Sequence, residues 1–468
     1  MYYPNKEEFI KLSKKGNIIP VYKEIAAGKE TPVTAFKKIE GDYSFLLESV
    51  EGEEKIARFS FLGSVSKKEL CSFKSFAEIK EFLASLKPVV VPGLPRFHGG
   101  LVGYISYDMV RQIENIPDKN PYDLKLPAML FLKTSSLIAF DHIKGKIKFI
   151  ANVEVKGDPA KAYQLACEEI DGLEAKLKKP LKLEQQKKSS KTKPLQYTSN
   201  MTQQEYEAAV KKAKEYIRAG DVIQVVPSQR LATKCQIDPF NVYRVLRELN
   251  PSPYMFYLKF GQVKIVGSSP EVMVRLEGDE ATVRPIAGTR RRGKDAKEDQ
   301  KMADELLASD KERAEHIMLV DLGRNDLGRV CDYGTVKVSE EMVIEKYSHV
   351  MHIVSNIVGR LKKDKDAVDL LTATFPAGTV SGAPKVRAME IIDELENVKR
   401  GPYAGCVGYF GFSGEMDTGI TIRTIVFHGD QAYVQVGAGI VADSIPAEEY
   451  KETINKAKAM LRAIELAS

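Results

Sequence analysis

The alternation of apolar and polar residues is clearest in the C-terminal half of the chain, where it predicts a well-delimited helix. Apolar side chains recur at helical spacing from Tyr206 to Ile217. Thr202 precedes this run and Glu205 follows three residues later, which is the capping-box pattern of a helix N-terminus. Gly220 ends the pattern, as glycine often does after a helix. The sequence therefore predicts a helix between Thr202 and Gly220.

Shorter β-branched and aromatic runs in the same half predict strands. The predicted strands cover residues 222–226, 255–260, 263–266, 272–276, 280–284, 418–426 and 432–436. Longer periodic runs predict helices over residues 299–320, 386–395 and 447–464. Because the strands occur in clusters and do not alternate strictly with helices, the pattern favours an α+β fold with large antiparallel sheets.

A stretch rich in lysine, glutamine and serine interrupts these patterns at residues 176–200 and is typical of an exposed linker. It separates an N-terminal region, residues 1–175, from a C-terminal region, residues 201–468. Each region is within the usual size of a domain. The sequence therefore predicts two regions joined by a linker.

The excess of positive charge is confined to that stretch. The formal net charge is +6, and residues 174–194, with eight lysines and two glutamates, account for all of it. A broad basic face for nucleic acid is therefore not supported. Five cysteines are scattered singly, which is typical of a reducing compartment. No apolar run approaches the roughly 20 residues of a membrane span. We expect a cytoplasmic protein that binds neither nucleic acid nor membranes.

Two acidic motifs far apart in the chain have a spacing that suits a metal site. Glu312 and Glu315 are three residues apart, as are Glu449 and Glu452, so each pair lies on one face of a helix. Four carboxylates in one small volume cannot all stay ionised unless a cation joins them, and oxygen ligands favour Mg²⁺. One such motif on a lysine-rich helix is more often a solvated, ion-paired face. The interpretation therefore depends on the sequence between the motifs.

Several glycine-containing segments lie between and around the acidic motifs. They cover residues 285–290, 378–385, 401–405 and 437–440. Such loops can present backbone N–H groups to an anion, and nearby Arg423 and Lys456 can pair with carboxylates. Each segment alone is more often a simple turn, as Glu271 alone is more often a surface acid and His352 a structural histidine. No segment matches a phosphate-binding loop, which disfavours a nucleotide enzyme.

Together these segments resemble the chorismate-utilising enzymes, and most closely their anthranilate synthase branch. The matching strings, in the family's order, are residues 265–271, 285–290, 311–326 (KERAEHIMLVDLGRND), 378–385 and 448–456. The resemblance spans residues 202–458. It implies a large orthogonal antiparallel β-sandwich core flanked by helices, with N-terminal strands threaded into the catalytic sheet. It also implies the first committed step of tryptophan synthesis, in which chorismate and ammonia give anthranilate and pyruvate through aminodeoxyisochorismate.

Two positions distinguish the branches of this family. Isochorismate and salicylate synthases carry a lysine that activates water where this chain has Gln224, and glutamine cannot act as a base. Common bacterial aminodeoxychorismate synthases carry a nucleophilic lysine where this chain has Ala287. Both differences point to anthranilate. Aminodeoxychorismate synthase stays an alternative, because some of its members lack that lysine. A non-catalytic sensor of tryptophan or chorismate is an alternative of a different class.

The resemblance also implies a role for individual residues. Mg²⁺ would be held by Glu315 and Glu452, with Glu312 and Glu449 reaching it directly or through water. Glu271 would be the general acid, with His352 and Thr379 near the same substrate hydroxyl and Gln224 at the nucleophile position. The substrate would be bound by Gly288, Thr289, Tyr403, Arg423, Gly437, Ala438, Gly439 and Lys456.

A feedback site and a partner are implied in the same way. Leu-Leu-Glu-Ser, which ends at Ser49, and the string at residues 250–255 line the tryptophan site of anthranilate synthases. Ser49, Pro253, Tyr254 and Met255 would therefore contact tryptophan. The chain has no Gly-x-Cys-x-Gly nucleophile elbow. We thus expect ammonia from a glutamine amidotransferase subunit, in a heterodimer or heterotetramer.

Overall fold

The structure is a computed structural model that describes residues 1–50, 58–181, 195–347 and 350–467. Most of the predicted linker, residues 182–194, lies outside the described residues.

The described residues contain eleven α-helices. They are α1 Lys6–Leu12, α2 Pro32–Ile39, α3 Phe76–Ala84, α4 Pro159–Lys178, α5 Gln203–Ala219, α6 Pro239–Leu249, α7 Ala296–Ala308, α8 Asp310–Gly328, α9 Ala367–Thr374, α10 Lys385–Leu395 and α11 Pro446–Leu466.

The strands of the described residues, in chain order, are β1 Tyr2–Tyr3, β2 Ile18–Ala26, β3 Tyr43–Glu48, β4 Phe59–Val65, β5 Leu70–Phe73, β6 Gly100–Ile105, β7 Met129–Thr134, β8 Ser136–Asp141, β9 Lys146–Glu154, β10 Thr198–Ser199, β11 Gln224–Val225, β12 Ser228–Lys234, β13 Tyr254–Phe260, β14 Val263–Ser269, β15 Val272–Glu277, β16 Glu280–Val283, β17 Ile286–Arg291, β18 Lys337–Lys346, β19 Val350–Arg360, β20 Gly382–Ala383, β21 Cys406–Gly411, β22 Met416–Ile420, β23 Thr424–His428 and β24 Gln431–Gly437.

Two large antiparallel sheets organise the described part of the chain. The first has the order β1-β2-β9-β8-β4-β3-β13-β14-β23-β24-β12-β10. The second has the order β17-β19-β16-β15-β22-β21-β6-β7-β5, with β18 also paired to β19. A short ladder joins β11 to β20. The expected α+β fold is confirmed.

The sheets and helices form successive layers, and three of the five apolar cores in the described residues lie on the faces of the two large sheets. Phe45 and Leu258 of the first sheet share one core with Tyr104 and Tyr409 of the second. The other face of the first sheet packs against α1, α2, α4, α6 and α11. The other face of the second sheet packs against α3, α8 and α9. Burying each large apolar side chain contributes about 1.5–3 kcal/mol, so these cores fix where α8 and α11 lie.

The N-terminal and C-terminal regions share both sheets. β3 pairs with β13 in the first sheet, and β6 pairs with β21 in the second. The boundary at residues 176–200 therefore does not separate two structural cores, and α4 continues into the predicted linker as far as Lys178. The interleaving agrees with the threading that the family resemblance implies.

Several element predictions are confirmed and three are wrong in their bounds. Helix α5 has the predicted capping box and ends at Gly220 with a φ of 83°. The single helix predicted over 299–320 is two helices, because Ser309 ends α7 and caps α8. The strand predicted over 418–426 is β22 and β23, since the chain bends at Arg423 with a φ of 50°. The strand predicted over 222–226 is shorter than expected and consists of β11, Gln224–Val225, alone.

No helix in the described part of the chain is long and apolar enough to cross a membrane.

Candidate active site

Helices α8 and α11 bring the four predicted metal-binding glutamates towards one region. Ser309 caps α8, where its hydroxyl accepts the N–H of Glu312 at 3.4 Å. Burial raises the pKa of Glu315, and the Glu312 and Glu452 carboxylates raise it further. Burial and Glu452 likewise raise the pKa of Glu449. The Glu452 carboxylate on α11 therefore lies close enough to Glu315 on α8 to act on its charge.

Basic side chains neutralise two of these carboxylates. Lys456 Nζ lies 2.7 Å from Glu452 Oε1, and Arg290 Nη1 lies 3.1 Å from Glu312 Oε1. Among the described residues, no three acidic, histidine or cysteine side chains are arranged closely enough to hold a metal ion as they stand. The oxygen-only donors, with the raised pKa values of Glu315 and Glu449, nevertheless fit a hard divalent cation. Arg290 is a neighbour of these donors that the sequence did not single out.

Glu271 is buried at the turn between β14 and β15. Its exposed fraction is only 6%. Burial raises the pKa of Glu271 to about 8, while the Thr379 hydroxyl and the Ile286 backbone offset part of the rise. The Ile420 N–H donates to the Glu271 carbonyl at 3.0 Å and fixes the backbone of the turn. A carboxyl with this pKa is protonated at neutral pH and can donate a proton.

His352 is fixed against the bulge that contains Gly288. Gly288 has a φ of 68° and lies between Ala287 and Thr289, where the register of β17 against β19 shifts. His352 Nδ1 lies 2.9 Å from the Gly288 carbonyl and 3.1 Å from Thr289 Oγ1. Because a carbonyl only accepts, Nδ1 carries the proton and Nε2 is left as an acceptor. Burial and Arg423 lower the pKa of His352, which keeps the ring neutral.

Arg423 is a partly buried cation at the bend between β22 and β23. Burial lowers the pKa of its guanidinium, and Tyr403 and Glu452 oppose that change. Within the described residues, no hydrogen bond or ion pair of the Arg423 side chain is found, and Tyr403 and Glu452 act on it only through their charge. Such a group suits an anionic ligand.

Tyr403, Gly437 and Lys456 lie together beside Arg423. A Cβ atom at Gly437 would be 2.8 Å from the Tyr403 hydroxyl, so only glycine permits this approach. Lys456 Nζ donates to the Gly437 carbonyl at 3.0 Å. The Ala438 N–H donates to the Pro227 carbonyl at 3.3 Å, so it is already engaged within the protein.

Gln224 is enclosed by glycine backbone. Its side chain is 3% exposed, and its Oε1 has no hydrogen-bond partner in the described part of the chain. A Cβ atom at Gly439 would be 2.5 Å from Gln224 Nε2. The structure therefore brings the predicted catalytic, substrate and metal residues into one connected region.

The four predicted tryptophan contacts line a separate cavity. Ser49, Pro253, Tyr254 and Met255 surround a space of about 490 Å³, including its open mouth. The Tyr254 hydroxyl donates to Asp417 Oδ1 at 2.7 Å. Ser49 Oγ is buried and has no partner among the described residues. The cavity thus offers a ligand an apolar wall and a hydroxyl, Ser49 Oγ, that can still form a hydrogen bond.

Comparisons with known proteins show the family of the chain. The model of the chorismate binding enzyme family matches residues 42–462. Anthranilate synthase component 1 of Acetivibrio thermocellus is 47% identical, with 99% of each chain covered. The protein of that name from Aquifex aeolicus is 49% identical, with 98% of this chain and 97% of that protein covered.

Solved structures are similar over nearly the whole chain. Anthranilate synthase component I from Streptococcus pneumoniae has a TM-score of 0.77 and 37% identity, covering 94% of this chain and 99% of that one. The menaquinone-specific isochorismate synthase from Escherichia coli has a TM-score of 0.71 at 20% identity, covering 98% of each chain, and shows the fold alone. The chain belongs to the family of chorismate binding enzymes and, within it, to the anthranilate synthase component 1 group.

Proposed function

We propose that the protein converts chorismate and ammonia to anthranilate, pyruvate and water, the first committed step of tryptophan biosynthesis. The observation that carries this proposal is Glu271, a buried carboxyl with a pKa of about 8, inside a region that also holds four glutamates and the Arg423 guanidinium. A dianionic substrate that must lose a hydroxyl requires both a proton donor and cationic groups.

Arg423 and Tyr403 would hold the enolpyruvyl carboxylate of chorismate. Arg423 supplies the charge, and the Tyr403 hydroxyl lies beside Gly437 at the same end of the site. Lys456 would add positive charge near the carboxylates. Mg²⁺, held by Glu315 and Glu452 with Glu312 and Glu449, would supply neutralisation of the ring carboxylate and an electron sink.

Glu271 would protonate the departing ring hydroxyl. Its proton leaves with the hydroxyl as water, while ammonia forms a C–N bond at the ring carbon next to the carboxylate-bearing one. His352 and Thr379 would orient the hydroxyl, since the Nδ1–H···O bond to Gly288 leaves His352 Nε2 as an acceptor and Thr379 lies beside Glu271. Loss of pyruvate from aminodeoxyisochorismate, with loss of a ring proton, then gives the aromatic product.

Gln224 and Ala287 support ammonia over water or a lysine as the nucleophile. An amide cannot deprotonate water, whereas neutral ammonia needs no base. Ala287 cannot form a covalent intermediate. Gly288 and Thr289 would complete the ring pocket, with Gly437, Ala438 and Gly439 as its backbone wall.

We propose a glutamine amidotransferase as the source of ammonia, because the relatives are named as component 1. The assembly would be a heterodimer or heterotetramer. We also propose tryptophan as an inhibitor bound by Ser49, Pro253, Tyr254 and Met255. A cytoplasmic location is consistent with five free cysteines.

The proposal is tested with purified protein, chorismate, Mg²⁺ and an ammonium salt, with products followed by fluorescence and mass. Anthranilate that requires both Mg²⁺ and ammonia supports it. Consumption of chorismate to aminodeoxychorismate without fluorescence identifies the alternative synthase. Binding without consumption, also when the amidotransferase is added, identifies a sensor and contradicts the proposal.

A further inference from the structure

Arg400 is a fully buried cation that is not among the substrate or metal contacts. Its exposed fraction is 1%, and it precedes the glycine turn at residues 401–405. Its guanidinium carbon makes cation–π contacts with two aromatic rings, 4.6 Å from the Tyr107 centroid and 5.5 Å from the Tyr403 centroid. Burying a charge in this way is costly unless its hydrogen-bonding groups are matched.

The donors of Arg400 reach two separate chain segments of the site. Nη1 donates to the Val380 carbonyl at 2.7 Å, and Nη2 donates to the Val226 carbonyl at 2.6 Å. Val380 directly follows Thr379, and Val226 is two residues after Gln224. The same two segments contact each other where the Val226 N–H donates to the Ser381 carbonyl at 3.0 Å.

Glu396 completes this arrangement. It accepts from Arg400 Nη2 at 2.6 Å and from Nε at 3.0 Å. The same carboxylate accepts the Ser228 N–H at 2.8 Å and the Ser228 hydroxyl at 2.7 Å. The segment after Gln224 is thereby held at two points, through Val226 and through Ser228.

We infer that Arg400 is a positioning residue, which sets the distance between the Gln224 and Thr379 segments and supports the Tyr403 ring. The planar guanidinium of Arg400 bonds two carbonyls and a carboxylate at once while it contacts both rings. The single ammonium of lysine cannot do so. The kinetic part of this inference rests on the proposed function, whereas its structural part does not.

The bonds from Arg400 to Val226, Val380 and Glu396 are called the clamp below. Hydrogen exchange of Arg400→Lys tests this clamp without requiring turnover. The Val226 and Val380 amides should exchange about tenfold faster than in the wild type, because both segments lose a fixed partner. Helix α5 should keep its protection. The matched control is Lys38→Met, which removes a remote lysine that pairs with Glu30 and donates to the Leu177 carbonyl at 2.8 Å. Its Val226 and Val380 amides should exchange as in the wild type.

Kinetics give the second readout. In Arg400→Lys, kcat should fall about tenfold or more while KM for chorismate changes less than about threefold, since Arg423, which supplies the charge for the enolpyruvyl carboxylate, keeps its place even where the Tyr403 ring loses support. Tyr107→Leu keeps every hydrogen bond of Arg400 and removes one stacking face, so it should change kcat and exchange in the same direction but less. This variant decides the question if Arg400→Lys does not fold.

The inference would be overturned if the Val226 and Val380 amides of Arg400→Lys exchanged at the wild-type rate. It would also be overturned if Arg400→Lys and Lys38→Met lost amide protection equally. A wild-type protein that forms no anthranilate would instead overturn the proposed function. The exchange rates of the Val226 and Val380 amides would still test the structural role of Arg400.

Discussion

A carboxyl group can act as an acid near neutral pH only where its anion is disfavoured. Glu271 meets this condition because burial raises its pKa to about 8 and no cation is among the causes of its shift. Arg423, by contrast, lies near Glu452 and Tyr403. The site thus separates a neutral proton donor from the charged groups that bind carboxylates.

Gln224→Lys should divert part of the flux from anthranilate to isochorismate. A lysine there can deprotonate water, which glutamine cannot do. The hydroxylated product is measured by chromatography and mass at low ammonia concentration. Gln262→Lys, an exposed position on the loop between β13 and β14, is the control. If no hydroxylated product forms, this position does not select the nucleophile.

Single residues show what the sequence can and cannot reveal about the site. The acidic spacing of Glu312 and Glu315 is visible in the sequence, and the family resemblance assigns Glu271, which shows no signal of its own. Arg290 and Arg400 were missed, because their roles depend on partners distant in the chain. The only available signal for Arg400 was its position before the turn at residues 401–405.

Among the helices and strands, those whose start and stop signals lie within their own sequence are predicted correctly, whereas breaks inside a periodic run are not. Helix α5 was predicted because its cap and stop lie within its own sequence. The break at Ser309 was missed, since apolar periodicity continues through it while the hydroxyl caps a new helix. The short β11 depends on β20, which is far away in the chain.

Ser309→Ala should weaken the activation of the protein by Mg²⁺, because loss of the N-cap frays the start of α8. Loss of an N-cap costs about 1 kcal/mol. We expect the Mg²⁺ concentration for half-maximal activity to rise about fivefold, because Glu312 and Glu315 lie in the frayed turns. Ser75→Ala removes the equivalent cap of α3, where Ser75 Oγ accepts the Glu78 N–H at 3.2 Å. The control should lose similar stability without a change in Mg²⁺ response, and equal responses in both variants would contradict the prediction.

At the scale of the whole molecule, the second cavity depends on the interleaving of the two regions. Ser49 comes from the N-terminal region, Tyr254 from β13 and Asp417 from β22. Strand β22 then leads to Ile420, whose N–H donates to the Glu271 carbonyl. A ligand that shifts β22 would therefore also shift the proposed acid. The strand order that creates this link is non-local and could not be predicted from periodicity.

Ser49→Phe should uncouple inhibition from catalysis. A phenyl ring placed in the cavity competes with tryptophan for space, so inhibition should weaken by at least about tenfold. The uninhibited kcat should be unchanged, because the residues that line the cavity around Ser49 do not include the proposed catalytic residues. Ser49→Ala removes only the unpartnered hydroxyl and should lose less inhibition. Unaltered inhibition of Ser49→Phe would place the tryptophan site elsewhere.

The most direct measurement compares Glu271→Gln with the wild type across pH, with neutral ammonia held constant. The wild-type kcat should decline as pH rises through about 8, because the acid must be protonated. Glu271→Gln should bind chorismate within a few-fold of the wild type and lose about 10²-fold or more in kcat. Turnover of Glu271→Gln at the wild-type rate would contradict the assignment of the acid and, with it, the mechanism.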